Sequence, residues 1–337
     1  MTFYFLGENM KTYKNLWDTI TSMENLELAA KKAVKSKKSK KAVKKFLENK
    51  TEYLQKLQQQ LKNGTFKTSK YFVFKVYEPK ERDIYVLPLY PDHIVHHAII
   101  NVLGPIWHKM FIKDSYACIP GRGLHAASQR IMRFVKKNKF VLQCDVKKFF
   151  PSIDHQIMFD IIKRKIKDKP LLDLLRNIID SCGDKQNLPI GNLTSQWMGN
   201  LYLNELDYFV KHVLKCRCYI RYCDDFCIFA DDKKILRSMQ WKIQDFLWIK
   251  LNLKFSKVSL TPTACGVNFI GYRHYKRFVL LRPSSKRRIT RKLMIIAVIK
   301  NITLRVRSQI AALGGWIKWA NCFNLKTNLN ARYKIAL

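Results

Sequence analysis

The stretch Cys218-Tyr-Ile-Arg-Tyr-Cys-Asp-Asp-Phe-Cys-Ile-Phe-Ala230 constrains the fold of this chain more than any other. Residues 218–222 and 226–230 are rich in Tyr, Ile, Phe and Cys, a strand composition, and the tip Cys223-Asp224-Asp225 separates them. The pattern predicts a β-hairpin with a three-residue tip. Successive strand side chains point to opposite faces, so Asp224 and Asp225 cannot aim at one point. Two readings are open at this stage. One is a surface turn, where Asp is common; the other is a pair of carboxylates held rigidly for a cation.

A further carboxylate bears on the choice. Residues 140–146, Phe-Val-Leu-Gln-Cys-Asp-Val, are apolar on both faces and predict a central strand that carries Asp145 near its end. A carboxylate there is costly unless a cation accompanies it. If this strand lies beside the hairpin, Asp145 and Asp224 meet at one sheet edge. Carboxylate oxygens suit hard, octahedral Mg²⁺. Two such ions can clamp the attacking and leaving oxygens of a phosphoryl transfer.

Charge names the class of partner. Lys and Arg number 63 against 25 Asp and Glu, a net charge of +38. The excess is concentrated: no acid follows Asp245, while 19 Lys or Arg occur in the last 92 residues. A second block, Lys31 to Lys50, holds ten lysines and one glutamate. One-sign fields repel themselves unless a polyanion compensates them. Nucleic acid and anionic membrane both qualify. Aromatic-bearing apolar segments between the charges point to a folded groove, which favours nucleic acid over membrane.

At 337 residues and 47% apolar composition, the chain can bury a core spread over two or three subdomains. Its longest apolar run, 293–299, is too short to span a bilayer. The sequence MTFYFLGENMK has no basic leader before an apolar stretch, so a cytoplasmic protein is expected. Nine scattered cysteines without a CxxC indicate neither a zinc site nor a disulfide framework. His93, His96 and His97 fall at helical spacing and predict a packed helix face in preference to a metal site.

Along the chain, Leu16 to about Leu61 is helical in pattern, and Asn63-Gly64 ends it. Residues 71–77 and 84–87 read as strands around the turn 78–82. Helices are expected from Pro91 to about Trp107, after Gly123, after Asp154, from Ser195 to about Leu214, and over 233–250. Short strands are expected over 265–281, around Gly271, with a basic helical remainder. The fold class is thus α+β, with basic helical ends flanking a mixed body.

Four boxes in this order resemble a known family. Arg221-Tyr-Cys-Asp-Asp225 is similar to the Tyr-x-Asp-Asp box of reverse transcriptases, and Cys144-Asp-Val-Lys-Lys-Phe-Phe-Pro-Ser-Ile-Asp154 to their first palm box. Leu188-Pro-Ile-Gly-Asn-Leu-Thr-Ser-Gln196 resembles the helix-opening box between them, and Gly266-Val-Asn-Phe-Ile-Gly-Tyr272 the primer-grip hairpin. Most bacterial and organellar relatives carry Gln-Gly-x-x-x-Ser-Pro in the helix-opening box, whereas this chain has Ile190-Gly191-x-x-x-Ser195-Gln196. That form resembles the reverse transcriptases of diversity-generating retroelements, as do Tyr77-Glu-Pro-Lys80 and Ser115-Tyr-Ala-Cys-Ile-Pro-Gly-Arg-Gly123. One departure is Cys223, where this group often has Met.

The resemblance implies a right-hand polymerase: a basic N-terminal helical extension over 1–62, fingers and an antiparallel palm over 63–275, and a small helical thumb over 276–337. It implies two Mg²⁺ ions, replaceable by Mn²⁺, on Asp145, Asp224 and the Val146 carbonyl, with Asp225 as the supporting carboxylate. Lys80 and Arg82 would grip the incoming deoxynucleoside triphosphate. Phe150 would abut the sugar C2′, and Ile190 and Gln196 would line the nucleotide site. Lys254 is a candidate general acid for the pyrophosphate leaving group. Gly266, Phe269 and Gly271 would form the primer grip.

The implied partners are a template RNA, a DNA or RNA primer and a small basic ring-forming accessory protein, with no membrane. Ile190 cannot make the hydrogen bonds of the usual Gln, which implies low fidelity, in the family concentrated at template adenines. A plain packing role for Ile190 stands beside that reading. Asp231-Asp232 reads as a solvated loop or helix cap, Trp316 and Trp319 as thumb packing, and Lys31–Lys50 as an RNA surface or a solvated lysine face. The alternatives are a faithful retron- or defence-type reverse transcriptase and a non-catalytic RNA-binding scaffold.

Overall fold

Four helices replace the helical stretch expected from Leu16 to Leu61: α1 Trp17–Thr21, α2 Met23–Ala33, α3 Lys41–Glu48 and α4 Lys50–Lys62. The computed structural model describes residues 11–77, 80–299 and 303–333. Ser22 separates α1 from α2, because its hydroxyl accepts the Asn25 N–H and caps the second helix. Asn25 reaches on to the carbonyls of Ile20 and Ala98, tying α2 to α5 (Ile94–Met110). Ile20, Leu26, Leu54 and Leu57 bury the inner faces of these helices completely. The lysines of residues 31–50 line the outer faces, as the amphipathic spacing requires.

The chain then runs through β1 (Phe72–Val76), β2 (Arg82–Val86), α5, α6 (Leu124–Lys137), β3 (Phe140–Val146), α7 (Phe149–Ser152), α8 (His155–Lys165), α9 (Lys169–Asp180) and α10 (Leu193–Tyr208). After these come β4 (Tyr219–Tyr222), β5 (Asp225–Ala230), α11 (Lys233–Leu251), β6 (Phe255–Pro262), β7 (Val267–Phe269), β8 (Tyr272–His274), β9 (Val279–Leu281), α12 (Pro283–Ala297), α13 (Leu304–Trp319) and α14 (Phe323–Tyr333).

Two compact units result. The first comprises Met1–Ile112, Val146–Phe209 and Gln244–Lys254. In it, α1–α5 and α7–α10 surround a helical core, and β1 and β2 form an antiparallel ribbon. Asp168 is the hub of this unit's N-terminal part. One carboxylate oxygen accepts the N–H groups of Leu16 and Trp17 at the start of α1, and the other caps α9 through Leu171 N–H. A main-chain bridge from Tyr13 to Lys165 and Lys167 reinforces the same junction.

The second unit comprises Lys113–Asp145, Val210–Ile243 and Phe255–Leu337. It holds a four-stranded sheet in the order β4-β5-β3-β6 and a three-stranded sheet β7-β8-β9. Val141 of β3, Ile220 of β4 and Cys227 and Phe229 of β5, with Ile131, Phe134 and Val135 of α6, build one core. α12–α14 pack a second core on β8 and β9. Trp316 stacks on Tyr272 at 5.1 Å and Trp319 on His125 at 4.3 Å, so both tryptophans pack as expected. At the β7–β8 turn, Gly271 has φ +84°, and a Cβ there would lie 2.5 Å from the Trp316 ring. Only glycine fits.

Buried histidines make the fold acid-sensitive. His96 on α5, bonded to the Thr194 hydroxyl, is lowered to about 3 by burial first and then by His93 and His97. His274 on β8, bonded to Ser128 and the Val267 carbonyl, is lowered to about 4 by burial. Both folded values lie below the unfolded value near 6.5, so the unfolded chain binds more protons as pH falls. Their contribution is complete above about pH 6.5 and lost below it, at up to about 1.4 kcal/mol per pH unit for each histidine. Urea midpoints should be flat from pH 8 to 7 and fall between pH 6.5 and 5. A flat curve through that window would contradict the neutral burial of both rings.

Candidate active site

The site is built from the carboxylates upward. In the second unit, β4 and β5 form the expected hairpin, but Tyr222 pairs with Asp225 and the loop is only Cys223-Asp224. The tip is therefore two residues, not three. Asp is a poor strand former, yet Asp225 joins β5 because β3 offers it a partner on the other side. The β3–β5 register sets Asp145 directly opposite Asp225, with Asp224 one residue earlier in the turn. Residues opposed in this way share a sheet face with Cβ atoms about 4.5–5.5 Å apart. Asp145 thus stands in register with Asp225, and the turn residue Asp224 lies at the same end of the sheet.

On the other side of β3, strand β6 brings Ser256, whose hydroxyl donates to Asp145 Oδ2. It also reaches the Asp145 carbonyl at 3.3 Å. Ser256 is a site neighbour that the sequence reading missed. Burial, and then the charge of Asp224, push the Cys223 thiol up, so it stays protonated and is no ligand for a hard ion.

The donor set fits divalent cations of the Mg²⁺ class. Like charges directly opposite one another destabilise a sheet, and a divalent cation bound nearby offsets that cost. Among the described residues no group of three or more His, Cys, Asp or Glu closes into a metal cage. Mg²⁺ does not need one. It keeps several waters and takes one or two carboxylates plus substrate phosphates.

The remaining predicted residues divide between the units. Gly266, Phe269 and Gly271 belong to the second: Gly266 precedes β7, Phe269 is buried in the core, and Gly271 makes the β7–β8 turn. Lys80, Arg82, Val146, Phe150, Ile190, Gln196 and Lys254 belong to the first. Lys80 and Arg82 are exposed at the β1–β2 turn. The Ile190 carbonyl accepts the Tyr85 N–H at 2.8 Å, which fastens the helix-opening box to β2. Gly191 follows with φ +134°, and a Cβ there would collide with the Tyr85 carbonyl. The glycine of the box is therefore a close-approach requirement.

Phe149 is buried, and Phe150, half-buried, packs over Gly199 of α10. Gln196 is exposed on the first turn of α10, whose other residues from Trp197 to Tyr202 are all buried. Lys254 is exposed; its ammonium lies 4.3 Å from the Trp248 ring centre, and its carbonyl accepts the Lys147 N–H at 2.8 Å. Asp232 caps α11 through Lys234 N–H, and Asp231 accepts the Lys139 N–H, as expected for a loop and cap. His96 is buried in a packed helix face.

Comparison with known proteins decides the family. The family model described as reverse transcriptase (RNA-dependent DNA polymerase) matches residues 80–274, more than half of the chain. The chain belongs to the reverse transcriptase family. Among its relatives, the group II intron-encoded protein LtrA of Lactococcus lactis subsp. cremoris is 28% identical over 171 residues, which are 47% of this chain and 28% of LtrA. The retron Ec73 reverse transcriptase of Escherichia coli is 30% identical over 165 residues, 43% of this chain and 50% of that protein. Protein YkfC of Escherichia coli K12 is 22% identical over 234 residues, 56% of this chain and 61% of YkfC. The matched span contains both Asp-bearing strands and the helix-opening box. Among the described residues of the chain no helix is long and apolar enough to cross a membrane.

Proposed function

We infer that this reverse transcriptase is an RNA-directed DNA polymerase that uses two Mg²⁺ ions. The observation that carries the reading is the register of Asp145 with Asp225, with Asp224 in the adjoining turn. Asp145, Asp224 and the Val146 carbonyl would hold the ions, and Asp225 would brace them; Mn²⁺ has the same ligand preferences. The ions supply charge neutralisation at the attacking and leaving oxygens. The rest falls to the protein. Ser256 orients Asp145, and Lys80 and Arg82, exposed cations on a ribbon turn, bind triphosphate oxygens. Phe150 gives the nucleotide sugar an apolar wall, and Lys254 is the candidate proton donor to pyrophosphate. The +38 charge supplies the field for template RNA and primer and makes binding strongly salt-dependent.

In this reading the first unit contributes fingers, the four-stranded sheet is the palm with Gly266, Phe269 and Gly271 as its primer grip, and α12–α14 form a thumb. The finer assignment is the mutagenic enzyme of a diversity-generating retroelement, working with an accessory protein. It rests on Ile190, whose half-buried apolar side chain stands where a hydrogen-bonding Gln is usual. A site without that polar group discriminates less between paired and mispaired nucleotides. A faithful retron- or defence-type enzyme is the second reading, and one of the relatives is a retron reverse transcriptase.

Ile190→Gln separates them. The retroelement reading expects frequent misincorporation opposite template adenine in the wild type and about a tenfold lower error rate in the variant, the scale of one hydrogen bond. Rare errors spread evenly over all four bases in the wild type would leave the polymerase and remove the mutagenic role.

A further inference from the structure

The turn that carries Asp224 begins with Cys223 at φ +58°, a left-handed conformation that costs a residue with a side chain on the order of 1 kcal/mol. Arg221, two residues earlier on β4, is completely buried, and its Nη1 donates to the Cys223 carbonyl at 3.0 Å. The Arg221 main chain is clamped in its turn. Its N–H donates to the Asp114 carbonyl at 2.9 Å, and its carbonyl accepts the Tyr116 N–H at 3.1 Å.

The Asp114 carboxylate behind this clamp is buried and doubly paired. Arg130 reaches it through Nε at 2.7 Å and Nη2 at 3.2 Å, and Lys211 through Nζ at 2.9 Å. Lys211 also holds the Arg217 carbonyl at the entrance to β4. The guanidinium of Arg221 is thus fixed at its Cα by segment 114–116 and reaches forward over the turn. A residue placed only to fill space would not need this, because taking a guanidinium out of water is expensive.

We propose that Arg221 is a positioning residue, which sets the orientation of the Asp224 carboxylate through the Cys223 carbonyl and so sets the affinity of the site for its divalent cations. This rests on the reading of Asp224 as a metal ligand. The planar fork of Arg, with donors at fixed angles, holds a carbonyl in one place, whereas Lys supplies charge without that geometry. Outer groups that orient metal ligands typically carry a 10–100-fold effect on metal affinity or activity.

The test measures Mn²⁺ binding to the full chain by electron paramagnetic resonance for wild type, Arg221→Met and Arg221→Lys. Circular dichroism and thermal melting verify the fold, and Mg²⁺ titrations of nucleotide incorporation are run beside it. Lys keeps the charge and most of the volume and Met keeps the volume, so the two variants together separate loss of the planar fork from loss of the fold. The half-saturating Mn²⁺ concentration should rise about 10–100-fold in each. In incorporation, kcat should fall while KM for the nucleotide stays within about threefold. A folded variant with the wild-type Mn²⁺ midpoint overturns the proposal. A shifted midpoint in a protein whose wild type incorporates no nucleotide supports the positioning role and rejects the polymerase reading, so the two fail separately.

Discussion

Replacing Asp224 by Asn is expected to reduce nucleotide incorporation by about 10³-fold, or about 4 kcal/mol of transition-state stabilisation, without loss of thermal stability. The amide keeps the shape of the side chain and removes its charge, so the hairpin keeps its two-residue loop while the proposed cation site loses a ligand. Asp145→Asn should behave in the same way, because Asp145 lies opposite Asp225 and an amide can still accept the Ser256 hydroxyl. A second readout does not depend on catalysis. Millimolar Mg²⁺ should raise the melting temperature of the wild type more than that of either variant, since a cation that binds only the folded state stabilises it by mass action. Activity within tenfold of wild type for Asp224→Asn would remove this aspartate from the chemistry.

The largest effect on stability is expected at Asp168. Its two carboxylate oxygens accept three N–H groups, from Leu16, Trp17 and Leu171, at 2.7, 3.0 and 3.3 Å. Two helix N-termini therefore converge on one buried side chain, a favourable place for a negative charge. Asp168→Ala removes a cap, worth about 1 kcal/mol, and leaves two further donors without their acceptor. A loss of about 3 kcal/mol is expected in urea unfolding. Limited proteolysis should show new cleavage between α1 and α2 before the rest of the chain is cut. Asp168→Asn keeps one acceptor oxygen but turns an amide NH2 toward the donors of the other, so it should lose part of the same stability and less than the Ala variant. A midpoint unchanged in the Ala variant would contradict the hub.

What could be read from the sequence was local. The hairpin and the central strand were legible because apolar runs of strand length flank the carboxylates, and the glycines mark the turns they occupy. The tip was misjudged by one residue because Asp225 looks like a loop residue until β3 is set beside it. The Ser22 cap at the break between α1 and α2 is invisible to a periodicity that runs on through it. The structural roles of Asp168, Asp114 and Arg221 were not legible at all. Asp168 acts on residues more than 150 positions away, and Asp114 gains its role from Lys211 and from the edge of β4. Arg221 stood inside the recognised box, but only its complete burial shows that it serves the turn and not solvent.

The proposed role of the opposed aspartates of β3 and β5, with Asp224 in the adjoining β4–β5 turn, is RNA-templated DNA synthesis. Its most direct test is extension of a labelled DNA primer on a defined RNA template with Mg²⁺ and deoxynucleoside triphosphates, wild type beside Asp224→Asn. Template-dependent extension by the wild type and loss of extension in the variant are expected. Equal extension by both proteins, or none by a folded wild type with any primer and either divalent ion, would contradict it.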